Sequence, residues 1–333
     1  MYYNNILETI GNTPLVNLPL KLNKNWKLLL KIEKTNPWQS MKDRMAYNMV
    51  LDAERKWLIK SGGTIIESSS GNTGIGLSIV AAQRGYKFIA VVDHHASKDK
   101  IKIMRAYGAE IHFVESNKWE DEVAVEEREK LAKYLNELIP NSYWTQQADN
   151  PANAEAYYLT LWNEIINQTD WNFHAFIGST GTWWSLSWTA RRLKEYNSSI
   201  KIFGVEPEWS VIFWPPAHPY LQSGTWNPGN VLIWKNVDYS LIDKWFKVWD
   251  KEAFAMARIL AKNNWMLIWW SAWWVLYQAI RIIQDIEWSW TLVALLWDWW
   301  EKYLDSIYDD KWMENHDLYD QNLEEFLSSL LLR

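Results

Sequence analysis

The chain of 333 residues is 48 % hydrophobic and 22 % charged, which suits a globular protein with a sizeable core and excludes a disordered or fibrous one. A net charge of −6 without any basic stretch argues against a nucleic-acid partner, and zero Cys excludes disulfides, thiolate metal sites and a cysteine nucleophile. One imbalance stands out: 27 Trp against 13 Gly, where average usage would give about 23 Gly.

The opening, MYYNNILETIGNTPL, lacks the basic and apolar regions of a secretory leader, so a cytoplasmic protein is expected. LLLKIEK (28–34) reads as a strand and 42–60 as an amphipathic helix. TIIESS (64–69) is a strand feeding a Gly-rich turn, which opens the helix of GNTGIGLSIVAAQRGY. There follow a strand at 87–93, a helix over 98–109 stopped by Gly108, a strand at 110–115 and a charged helix over 120–138. NFHAFIG (172–178) and KIFGVEP (201–207) are strands around a helix ending in RRLKEY, and TLVALL (291–296) is a last buried strand. The run from Met266 to Ile280 imitates a membrane span, but it is shorter than the ~20 apolar residues a span needs. Ser271 and Gln278 also interrupt it. The tail from Lys311 to Arg333 reads as a peripheral helix able to pack on a partner subunit. Strands alternating with helices indicate an α/β fold with parallel sheets in two lobes. Ligands in such folds bind at the carboxyl ends of strands, which directs attention to the loops after 69, 178 and 268.

Four loops carry chemistry. In Asn36-Pro37-Trp38-Gln39-Ser40-Met41-Lys42-Asp43-Arg44, Lys42 stands at the start of a helix and is a candidate amine nucleophile; a solvated first-turn lysine is the alternative. In Ser68-Ser69-Ser70-Gly71-Asn72-Thr73-Gly74, hydroxyls and backbone amides form an anion cradle at a helix N-terminus. Many strand-to-helix turns are rich in Gly and Ser for steric reasons alone, so both readings stand. Gly178-Ser179-Thr180-Gly181-Thr182-Trp183-Trp184-Ser185 would be a phosphate cradle, except that two adjacent indoles obstruct the close backbone approach a phosphate needs. Trp269-Trp270-Ser271-Ala272-Trp273-Trp274 has the same fault. The six His show no metal-ligand spacing, and no metal is expected.

Together these loops resemble the fold-type II pyridoxal-phosphate enzymes of the cysteine synthase and cystathionine β-synthase family. The chain has IGNTPL at 10–15, NPWQSMKDR at 36–44, SSSGNTG at 68–74 and QQADNPAN at 146–153. It continues with GTWWS at 181–185, GVEPEWS at 204–210, WWSAW at 269–273 and DWWEKYL at 298–304, all in the family's order. The resemblance implies two parallel-sheet α/β lobes with the cofactor between them, as in the tryptophan synthase β fold. It implies a larger cofactor-binding lobe of 1–41 plus 148–310, a smaller substrate-closing lobe of 42–147, and a helical tail of 311–333. By the same resemblance Lys42 would hold pyridoxal 5′-phosphate through its ε-amino group and remove the Cα proton of the substrate. Asn72 would bond the ring hydroxyl, while Gly181, Thr182, Trp183, Trp184 and Ser185 would hold the phosphate. Ser271 would face the pyridine nitrogen. Ser69, Ser70, Gly71, Thr73 and Gln147 would hold the substrate carboxylate.

The implied reaction is β-replacement on an activated L-serine, most simply O-acetyl-L-serine plus sulfide giving L-cysteine. The alternatives are cystathionine β-synthase chemistry on serine and homocysteine, or synthesis of a diaminopropionate-type β-substituted alanine. Outside enzymes, the alternative is a catalytically silent binding protein on the same fold. A homodimer with a small amino-acid substrate is expected, with no nucleic acid and no membrane.

The departures from the family pattern share one form. At 183, 184, 188, 209, 265, 269, 270, 273 and 300, Trp stands where the pattern has Gly, and Trp38 replaces the Gly after Asn-Pro. Trp57, Trp162, Trp171 and five others (214, 226, 234, 288, 290) fall where a turn Gly would be natural. Some bacterial lineages read the codon UGA as glycine, and another code table reads it as tryptophan. Most of the Trp are therefore expected to be Gly in the organism, with Trp144 and Trp312 authentic. The chain carrying Trp at the phosphate loop is expected to bind no cofactor, because indoles would fill the cradle.

Overall fold

The computed structural model describes residues 2–21, 26–114, 124–179, 184–208, 210–212, 238–264, 266, 270–285, 289–298 and 306–332, the side chains of 184, 270 and 271 excepted. The chain divides into two compact units: Met1–Asn12 with Asn36–Leu159, and Thr13–Thr35 with Thr160–Arg333.

The second unit takes the first two strands, β1 (Leu15–Leu18) and β2 (Lys27–Ile32), which pair antiparallel. Leu28 and Leu30 of β2 are fully buried, and so is Lys31. A buried ammonium is tolerable only when fully bonded. Lys31 donates to the Thr13 carbonyl at 2.7 Å, to the Glu164 carboxylate at 2.7 Å and to the Gln168 side chain at 2.8 Å.

The first unit alternates helices and strands: α1 (Lys42–Arg55), β3 (Thr64–Glu67), α2 (Asn72–Arg84), β4 (Lys87–Val92), α3 (Lys98–Ala106), β5 (Glu110–Phe113), α4 (Val125–Leu138), β6 (Ser142–Trp144) and α5 (Pro151–Ala156). Its four strands are parallel in the order β5-β4-β3-β6. Strands covered on both faces carry unbroken apolar runs. β3 and β4 do so, and Ile66, Ile89 and Val91 pack with Ala132 and Leu135 of α4. α1 and α2 cross closely at Gly76, where a β-carbon would come within 3.1 Å of the Ala46 Cβ and 3.5 Å of the Lys42 carbonyl oxygen. α5 starts cleanly because the Asn150 side chain accepts from the Ala152 amide and Pro151 needs no donor there.

A π-turn over Tyr157–Leu161 leads into the rest of the second unit. Its elements are α6 (Trp162–Gln168), β7 (Ala175–Ser179), α7 (Trp184–Tyr196), β8 (Lys201–Pro207), β9 (Lys244–Val248), α8 (Asp250–Asn264), α9 (Trp270–Asp285), β10 (Thr291–Leu296), α10 (Asp310–Asn315) and α11 (Gln321–Leu330). Six strands run in the order β1-β2-β10-β7-β8-β9, all parallel except β1. The run at 266–280 supplies part of α9, whose Trp273 and Trp274 are buried in the core. None of the described helices is long and apolar enough to cross a membrane.

The tail's leucines pack within the chain itself. Leu327, Leu330 and Leu331 are buried within the chain's own second unit. Arg258 of α8 donates to Glu324 of α11 and to Asp310 of α10, and Lys262 reaches Glu324 at 3.0 Å. Leu331 forms a bridge with Leu20, and the Lys21 amide donates to the Leu330 carbonyl at 2.7 Å. The buried leucines of the tail thus lie against α8 and the N-terminal strand pair, while Phe326 and Leu332 stay exposed.

Candidate active site

Lys42 is the first residue of α1 and is partly buried. The loop before it is tied down by its own polar groups. The Asn36 side chain accepts from the Gly11 amide at 2.9 Å, and the Ser40 hydroxyl accepts from the Lys42 amide at 3.2 Å. The Asp43 carboxylate accepts from the Trp38 amide at 2.6 Å. Gln39, between them, lies at φ +57, a conformation that favours glycine.

Asn72 is likewise the first residue of α2, with Gly71 before it in extended conformation. The buried Ser69 hydroxyl accepts from the Gly71 and Gly74 amides, both at 3.2 Å, so it shapes the loop as well as lining it. Gly74 is required by close approach: a β-carbon there would lie 2.7 Å from the Ser69 carbonyl oxygen and 2.8 Å from the Met104 sulfur. The Thr73 hydroxyl donates to the Gln147 side-chain oxygen at 2.6 Å, which joins two predicted substrate residues 74 positions apart in the chain. Ser70 and Gly71 are half-exposed beside them. The helix N-terminus, amides and hydroxyls together make an anion-binding cradle.

Three residues around this cradle were not foreseen. Glu67 ends β3 and is 2 % exposed. Its carboxylate accepts from the Thr145 hydroxyl and from the Gln147 amide at 3.1 Å. Burial pushes the Glu67 carboxyl up to about 7, against bonds from Thr145, Gln147 and the Ser68 amide that favour the charged form. Asn153 donates to the Gln147 carbonyl at 2.7 Å. Lys100 of α3 places its Nζ 3.9 Å from where a β-carbon would stand on Gly71, bringing a cation to the cradle's edge. The available signal for Glu67 was an acidic residue closing an apolar strand just before a Gly-rich loop. Asn153 closes the QQADNPAN motif, which marked the segment but not this residue's bond, and Lys100 had no signal in sequence.

The remaining predicted residues belong to the second unit. Residues 180–183, with Gly181, Thr182 and Trp183, lie outside the described residues, as do the side chains of Trp184 and Ser271. Ser185 is the second residue of α7 and half-buried, and Ser271 is the second residue of α9. Thus Lys42, Asn72, Ser185 and Ser271 all open helices. At the carboxyl end of β7, just before the Gly181 loop, the Ser179 hydroxyl is buried and has no hydrogen-bond partner among the described residues. Within the first unit, an amine on one helix start and an amide side chain on another suit a carbonyl cofactor, and within the second a buried, unpaired hydroxyl at a strand end just before a helix suits a phosphate. Among the described residues, no group of three His, Asp or Glu side chains could hold a metal ion.

The family pattern described as pyridoxal-phosphate dependent enzyme matches residues 6–284. The chain is 43 % identical over 320 residues to a cysteine synthase-like protein of Sinorhizobium fredii, covering 96 % of this chain and 95 % of that one. It is 36 % identical to cystathionine β-synthase of Oryctolagus cuniculus, covering 92 % of this chain and 57 % of that one. Among solved structures, O-acetylserine sulfhydrylase isoform 3 of Entamoeba histolytica is similar at a TM-score of 0.85 and 29 % identity, over 100 % of this chain and 97 % of that one. The two-sheet α/β architecture is therefore that of the fold-type II enzymes, as the resemblance implied.

Proposed function

The chain belongs to the family of pyridoxal-phosphate dependent enzymes, and within it we propose β-replacement on an activated L-serine, O-acetyl-L-serine plus sulfide giving L-cysteine. The observation that carries this reading is the cradle itself, in which Thr73 and Gln147 meet at 2.6 Å above the start of α2. Its hydroxyls and amides suit an amino-acid carboxylate. Near-complete mutual coverage with the Sinorhizobium protein favours cysteine synthesis over cystathionine synthesis, since the rabbit enzyme is spanned over 57 % of its length.

The bound cofactor would supply an electron sink for charge developing at the substrate Cα. Lys42 would hold it and carry the Cα proton on Nζ. Asn72 would bond the ring hydroxyl, Ser271 the ring nitrogen, and the 181–185 loop the phosphate. Ser69, Ser70, Gly71, Thr73 and Gln147 would orient the carboxylate, fixing the Cα–H bond toward Lys42. In this reading the substrate-closing part, 42–147, contributes Lys42, Asn72 and the carboxylate cradle, and the larger cofactor-binding part, 1–41 with 148–310, contributes the phosphate loop and Ser271. The setting is proposed as cytoplasmic and the assembly as a homodimer.

The same proposal takes most Trp residues at family Gly positions and at turn positions to be glycine in the organism, through UGA. Two described residues support it. Trp57 lies at φ +57 and is 80 % exposed, and Trp171 lies at φ +62. An L-residue in that region costs ~1–2 kcal/mol, which glycine avoids. UGA codons at 183 and 184 are expected in the gene, and UGG there overturns the recoding.

The activity is tested by assaying O-acetyl-L-serine with sulfide, homocysteine and glutamate in turn, using protein made with the host's decoding. Cysteine formation in the sulfide assay is expected. Turnover only with homocysteine, or none with any of the three, rejects the proposal.

A further inference from the structure

Gln146 lies at φ +49, in the left-handed region that a residue with a side chain enters only when its surroundings hold it there. It directly precedes Gln147. Glu67 spans this strained residue from the neighbouring strand, bonding the Thr145 hydroxyl on one side and the Gln147 amide on the other. The chain is secured further on both flanks. Asn150 donates to the Thr145 carbonyl at 2.8 Å, and Asn153 donates to the Gln147 carbonyl at 2.7 Å. Every backbone polar group of Gln147 is therefore tied, and its side chain is left facing Thr73.

We propose that Glu67 is a positioning residue for the substrate: its carboxylate closes the left-handed turn at Gln146 and so aims Gln147 at Thr73 and the carboxylate cradle. This rests on the reading of Gln147 as a substrate residue. The groups that face Glu67 are donors, so the carboxylate form serves all of them. A proton on the carboxyl oxygen shared by Thr145 and Gln147 would turn one acceptor into a donor facing the Gln147 amide. The titratable neighbours are Glu129 of α4, which opposes ionisation, and Tyr143 of β6, whose hydroxyl accepts from Asn150. The clamp tightens as Glu67 ionises, and substrate affinity rises with it.

The test uses the full-length, cofactor-loaded protein and the variants Glu67→Gln, Glu67→Asp and Gln147→Ala. In Glu67→Gln, KM for O-acetyl-L-serine is expected to rise about tenfold with kcat changed less than about threefold. KM of the parent is expected to fall with rising pH, and that fall should be absent in Glu67→Gln. Glu67→Asp, which restores the charge, should recover part of that pH dependence. The dissociation constant for L-alanine, read from the cofactor's absorbance, should move with KM, since alanine has the carboxylate and no leaving group. Should Glu67→Gln fail to fold, Thr145→Val removes one clamp bond and should raise KM in the same direction. Unchanged KM and pH profile in Glu67→Gln, or unchanged KM in Thr145→Val, alongside a raised KM in Gln147→Ala, overturns the clamp and leaves the carboxylate reading standing. An unchanged KM in Gln147→Ala removes that reading and the clamp with it.

Discussion

Trp57 holds the place in the closing turn of α1 that Gly108 holds in the closing turn of α3. The Trp57 amide donates to the Glu54 carbonyl, and the next amide, Leu58, donates to Ala53. The Gly108 amide donates to Arg105, and the next amide, Ala109, donates to Met104. Both central residues are left-handed, at φ +57 and +86. This paired closure of a helix end is built around glycine.

Trp57→Gly is accordingly expected to stabilise the protein by about 0.5–1 kcal/mol, the relief of left-handed strain less the added entropy of the unfolded chain. The indole is mostly exposed, so little buried area is lost. Denaturant unfolding measures it, and a loss of stability would contradict the assignment.

Lys42→Ala should abolish turnover and the visible absorbance of the bound cofactor while leaving the far-ultraviolet circular dichroism unchanged. Retained turnover would assign the proton transfer to another group.

Gly74→Ala forces a β-carbon against the Ser69 carbonyl and the Met104 sulfur. A destabilisation of ~1–3 kcal/mol is expected, together with a raised KM, because the cradle must open to accommodate the methyl. Thermal unfolding and steady-state kinetics report the two effects separately.

Glu67 also predicts a stability trend opposed to its role in binding. Its carboxyl rises from 4.5 to about 7 on folding, so the folded state holds the proton more tightly. That contribution is fully present below 4.5 and is lost as pH climbs through about 7, on the order of 3 kcal/mol. Glu67→Gln should lack this decline in an unfolding series across that range, while binding in the parent improves over the same interval. A parallel decline in the variant would place the titration elsewhere.

Arg258→Ala should cost ~1.5–3 kcal/mol, because the buried Glu324 carboxylate loses its guanidinium and keeps only Lys262. Proteolysis of the tail should accelerate in step. A tail equally protected in the variant would show that its leucines alone hold it.

Where a segment is buried on both faces, its sequence was readable. KIFGVEP and TLVALL form β8 and β10 over the spans expected, 201–207 and 291–296. β1 and β9 escaped notice because each is an edge strand with exposed and buried positions mixed, and β6 has three residues, too few for any period. In the site, Ser69, Thr73 and Gln147 were legible through loop chemistry and family motifs. Glu67 was not, since its partners arrive from the segment that follows β6 and through a backbone angle at Gln146 that no residue type announces. The tail's packing within the chain was illegible for a related reason: an amphipathic helix shows that it has an apolar face, and not which surface covers it.

β2 lies between β1 and β10, so its inner neighbour is among the last strands to be made. The four strands of the first unit are complete once Trp144 has been synthesised, and that unit's sheet can assemble while the ribosome is still working. The N-terminal hairpin has no such option. It must keep one edge unpaired through most of translation, until Thr291–Leu296 emerges to take its place beside it. Exposed strand edges recruit other chains. The interval between the making of β2 and of β10 is thus the period in which a nascent copy of this protein is most open to aggregation, and the one a holding chaperone would serve.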